Sequence, residues 1–140
     1  MSFESCLEKG LLKKNAVAKD WAGKELESAE MFLAQARTIL EAGAFESAEI
    51  IAYSSAFHSF RALLFAKGYS EKSHYCVFAG VSALYGESAA TTGLANQASY
   101  LREARHDAAY GGKPVSKQEA ESALETAKKA FANAKKTLKP

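Results

Sequence analysis

Two groups of residues in this chain have the types and spacing to do chemistry. The first is Arg102, Arg105, His106 and Tyr110, in the stretch LREARHDAAYGG. Arg102, His106 and Tyr110 fall at i, i+4 and i+8, which places them on one ridge of a helix, with Arg105 flanking it. Guanidinium forks suit phosphate oxygens, an imidazole moves protons, and a phenol adds a hydroxyl contact. The second group is His58 and Arg61, one turn apart in AYSSAFHSFRALLFAKG. Arg61 is the only formal charge in that apolar stretch before Lys67 at its end. An arginine cannot shed its proton to escape desolvation, so inside a core helix it needs a partner. Either a carboxylate or carbonyl answers it inside the bundle, with Asp107 or Glu103 as candidates, or it lines a polar cleft. His58 is either a core histidine bonded to backbone or part of that cleft.

Other chemistries find no support. His58, His74 and His106 fall on three different predicted helices, without i, i+4 pairs or a thiolate cluster, so no metal site is expected. His74 follows Ser73 at a predicted helix start and reads as a surface or capping-region residue. No glycine-rich phosphate loop follows a strand, no Ser-His-Asp arrangement is legible, and no cofactor is implied. Tyr53, Phe57, Phe60 and Leu64 are helix-spaced and read as core.

The elements that must position these residues are helices. Ala22, Leu26, Ala29, Leu33, Ala36 and Leu40 step 4,3,4,3,4, as do Ala120, Leu124, Ala127, Phe131, Ala134 and Leu138. Ser116 and Glu119 have the spacing of a capping box. Glycines punctuate the pattern at 43, 68, 86 and 111–112. The predicted helices run over about 3–13, 15–42, 45–67, 73–85, 92–110 and from 116 onward, and no strand is expected. Two long stripes around a nearly all-apolar middle helix imply an all-α, up-and-down antiparallel bundle. It would have four to five main helices plus a short N-terminal one, in a single domain over 1–140.

Composition agrees. A 140-residue chain with 48% hydrophobic and 24% charged residues is one ordinary globular domain. A net charge of +2 is too small to imply nucleic-acid binding alone. Residues 113–140 carry seven lysines against three glutamates, which reads as a solvated helix end complementing its dipole. Cys6 and Cys76 have no metal or redox spacing and are expected to be reduced, in a cytoplasmic protein. The N-terminus lacks an apolar signal core, and the longest apolar stretch is too broken to span a membrane.

Tyr53, Phe57, His58, Arg61 and Ala62, then Ala66-Lys67-Gly68, Lys72-Ser73-His74, and Leu101-Arg102-x-x-Arg105-His106-x-Ala108-x-Tyr110 together resemble the HEPN family, the higher eukaryotes and prokaryotes nucleotide-binding domains. The resemblance covers roughly residues 5–135 and is similar to the small stand-alone bacterial and archaeal members. It implies a helical bundle that pairs as a homodimer, the polar ridges facing one another across a cleft.

What the resemblance implies about activity depends on one motif. Ribonuclease-type members carry Arg, four to six residues, then His. From Arg105 the histidine would fall at 110–112, which hold Tyr110, Gly111 and Gly112. From Arg102 it would fall at 107–109, which hold Asp107, Ala108 and Ala109. The non-catalytic branch reads Arg-x-x-Ala-Asp-Tyr, and here the acid's place is taken by Ala109. The expectation is therefore a non-catalytic subunit that binds nucleotide or RNA, or its partner, in a two-component nucleotidyltransferase module of toxin–antitoxin type. Its ligand residues would be Arg102, Arg105, His106, Tyr110, His58 and Arg61. The alternatives are a metal-independent ribonuclease toxin using Arg102, Arg105 and His106, and a helical structural or adaptor protein.

Overall fold

The computed structural model describes residues 2–139. The chain runs α1 (Phe3–Glu8), β1 (Leu12–Lys14), a 3-10 helix (Ala16–Trp21), α2 (Ala22–Glu41), α3 (Phe45–Ala66), β2 (Tyr69–Glu71), α4 (His74–Leu84), α5 (Ala89–Tyr110) and α6 (Lys117–Thr137). It is an all-α bundle of five longer helices and a short N-terminal one.

α3 is the central element. Residues on every side of it are buried, from Ala48 and Ala52 through Phe60 to Leu64, and it packs against α2, α4, α5 and α6. α2 joins it through Gly43, whose φ of 84° is the left-handed conformation a tight helix end needs. Ser55 Oγ donates to the Ala29 carbonyl at 2.7 Å, which ties the two helices together and satisfies a buried hydroxyl. α6 begins with the expected capping box: the Ser116 hydroxyl accepts from the Glu119 amide, and the Glu119 carboxylate from the Ser116 amide. Its seam lies one notch from the predicted one. Ala120, Ala123, Ala127, Ala130 and Ala134 are buried, while Leu124, Phe131 and Leu138 pack at the edge. Small residues at the seam let α6 approach α3 closely, and the large side chains roof the contact.

Three expectations fail at the N-terminal end. The helix expected over 3–13 stops at Glu8, because the chain reverses at Gly10 with φ of 70°. The helix expected from 15 starts at Ala22, preceded by a 3-10 turn. Two strands exist where none was expected: Leu12 lies opposite Glu71 and Lys14 opposite Tyr69 in an antiparallel pair. Strands of three residues are too short to show a period of two, so only the tertiary pairing reveals them.

The cysteines are also corrected. Cys6 and Cys76 form a disulfide that joins α1 to α4, with Cα atoms 5.9 Å apart. Their sequence separation of 70 hid a contact that the packing of α1 on α4 creates. Among the described residues, no helix is long and apolar enough to cross a membrane.

Candidate functional site

Two arginine-centred clusters lie along α3. In the first, the C-terminal part of α3 and the end of β2 meet α2. Arg61 Nε donates to Glu71 Oε1 at 3.1 Å, and its Nη1 lies 3.6 Å from Glu25 Oε1. The same Glu25 oxygen is 2.8 Å from His58 Nδ1. The guanidinium also lies over the Phe65 ring at 4.9 Å, and His58 stacks on Phe32 at 5.4 Å. Arg61 is thus carboxylate-paired, but not with Asp107 or Glu103, and His58 bonds a carboxylate rather than backbone. The side chain of Arg61 is 32% exposed, so the pair sits at the rim of the core rather than inside it. Burial pushes the Glu71 carboxyl above the ordinary range, and Arg61 pulls it back.

The second cluster is built by α3, α4 and α5. Tyr53 and Phe57 are buried on α3, one turn apart. His74 opens α4, and its Nδ1 lies 2.8 Å from Tyr53 Oη. Its ring stacks on Phe57 with centroids 4.1 Å apart. The Arg105 guanidinium lies over the Tyr53 ring at 5.1 Å. Among the described residues Arg105 has no ion pair, and its buried Nε has no hydrogen-bond partner. Burial raises the Tyr53 hydroxyl to about 12, against the pull of Arg105 and Arg102, so Tyr53 stays a neutral phenol. Burial first, and then Arg105, Arg102, Arg61 and His58, lower the His74 imidazole below its ordinary range. His74 is therefore neutral near pH 7, with one ring nitrogen engaged by Tyr53.

Outside this cluster, Arg102, Glu103, Arg105, His106 and Asp107 line an open groove of about 280 Å³ on α5. His106 and Tyr110 lie side by side with ring centroids 5.0 Å apart, and Tyr110 is 73% exposed. The ridge is thus split: Arg105 turns inward onto Tyr53, whereas His106 and Tyr110 stand in solvent.

Sequence reasoning assigned Tyr53 to the core and His74 to a cap, and it missed Glu25 and Glu71. A polar ring at a buried position on a helix that also carries an arginine was the available signal for Tyr53. Nothing local marks the two carboxylates. Chemically, the arrangement offers forked donors with unspent hydrogen bonds beside a neutral imidazole and phenol, a set suited to phosphate oxygens.

A model of the HEPN domain family matches residues 22–137 of the chain. None of the curated proteins matches it.

Proposed function

Because the chain belongs to the HEPN domain family, we propose that it is the non-catalytic subunit of a two-component nucleotidyltransferase module of toxin–antitoxin type. In this reading it works as a cytoplasmic homodimer, alongside a small nucleotidyltransferase. Its groove holds a nucleotide or RNA phosphate against Arg105 and Arg102, with His106 and Tyr110 at the mouth. Tyr53 and His74 form the inner wall. His58 and Arg61 shape the site from behind rather than touching ligand.

One observation carries the reading: among the described residues Arg105 has no carboxylate partner, and its buried Nε has no acceptor. A guanidinium left this way costs free energy that an incoming anion repays. The test is titration of the protein with AMP, ATP and short RNAs, beside Arg105→Ala. Binding by the wild type and its loss in the variant are expected; equal binding by both sinks the proposal.

A second reading, metal-independent RNA cleavage, is favoured by a different observation. The linear motif lacks its histidine, but His74 comes from another helix as a neutral imidazole among the same arginines. A neutral imidazole is the form a general base needs. RNA cleavage in the presence of EDTA that His74→Ala abolishes would promote this reading over the first.

A further inference from the structure

Another flank of α5 borders a groove in which acids from α3 and α6 outnumber the one lysine. Gln97, Tyr100, Leu101 and Ala104 face Glu119, Ser122, Ala123, Glu125, Thr126 and Lys129 of α6 across a groove of about 520 Å³. Glu49 of α3 forms its floor and is 3% exposed. Among the described residues Glu49 accepts no hydrogen bond and forms no ion pair. Its oxygens still reach the groove, because Arg105 Nε is the one buried polar side-chain atom among the described residues left without a partner. Burial first, then Glu119 on α6, Asp107 on α5 and Glu46 on α3, push its carboxyl above the ordinary range, and Lys113 pulls it the other way.

A carboxylate on a nearly buried residue with acids around it is costly to keep charged, so a cation that answers it from the groove gains that cost back. The acids do not converge as metal ligands must, since among the described residues no three such side chains are placed to hold an ion. Leu101, Ala104 and Ala123 give the lining apolar patches beside the polar Gln97, Ser122 and Thr126 and one cation, Lys129, with the ring of Tyr100 standing 77% exposed at the edge. Apolar walls suit an aliphatic stem, and an aromatic face attracts a cation.

We propose that the groove between α5 and α6 binds an organic cation, whose alkylammonium or guanidinium head meets Glu49 and whose stem lies along Leu101 beside Tyr100. The head belongs either to a free polyamine or to a lysine or arginine side chain of a partner protein. Isothermal titration of the full chain with spermidine and with N-acetyl-arginine amide, at constant ionic strength, tests this. At least one cation is expected to bind, and 1,5-pentanediol is not. Glu49→Gln should weaken binding about tenfold or more. It should fold at least as stably as the wild type, because it removes an unanswered buried charge. Tyr100→Ala should weaken binding severalfold without touching the floor, and Arg105→Ala should leave it unchanged. Tighter spermidine binding assigns the head to a polyamine, and tighter binding of the arginine amide to a protein partner. No binding of either cation, or binding that survives Glu49→Gln, overturns the proposal.

Discussion

Arg61 and Arg105 both lie against the rings of α3, yet their charges are answered in different ways. Arg61 has Glu71 and Glu25 within 4 Å. Among the described residues Arg105 has the face of Tyr53 and no carboxylate. A guanidinium gains far more from a carboxylate than from a ring, so the first arginine is spent on the fold and the second is held in reserve. The sequence made Arg61 look like the conspicuous residue, because it interrupts an apolar helix. The structure leaves the buried Nε of Arg105 without an acceptor among the described residues, and the proposed phosphate site rests on that.

The comparison breaks most plainly by removing Arg61. Arg61→Ala strands Glu71, 8% exposed, and Glu25, 13% exposed. Breaking a fully buried pair costs about 3–5 kcal/mol, and the partial exposure of Arg61 reduces that to about 2–3 kcal/mol. Urea unfolding should show this loss; an unchanged midpoint would mean that the pair contributes nothing. Arg105→Ala should do the reverse. Its expected cost is about tenfold or more in nucleotide or RNA affinity, the worth of a charge-assisted contact, with little loss of stability. Equal destabilisation by the two substitutions would erase the distinction drawn here.

Smaller effects sharpen it. Arg102→Ala and His106→Ala remove groups at the mouth of the groove and should weaken phosphate binding only a few fold, measured by fluorescence anisotropy at fixed salt. The pH dependence of stability reports on His74. Its folded value lies below the ordinary 6.5, so as pH falls through 6.5 the unfolded chain takes up the proton first. Stability present above that pH should therefore decline on acidification below it. His74→Asn should flatten the decline; an identical slope in the variant would assign it to other groups.

What could be read in the sequence, and what could not, divides along range. α3, the two stripes and the Ser116 capping box were legible because period and capping are local. That Arg61 needs a carboxylate, a carbonyl or a polar cleft was legible from the desolvation cost alone. The identity of that carboxylate was not, because Glu25 and Glu71 come from other elements whose placement only the packing of α2 and β2 sets. Tyr53 and His74 meet for the same reason. The position of each was visible, but their contact is a property of how α4 starts against α3. The disulfide and the paired strands at Leu12 and Glu71 lie in this class too.

The Cys6–Cys76 bridge has a mechanical consequence. When it is oxidised, the chain between the two cysteines, which includes α2 and α3, is a closed covalent loop. Pulled by its two ends, such a molecule cannot pay out that segment, however hard it is stretched. With a sequence separation of 70, the hidden length is about 240 Å of extended chain. The central helix and the Arg61 cluster would therefore bear no direct tension, and force would reach only α1 before Cys6 and the helices after Cys76. Adding a reductant would put the central helix back in the line of force.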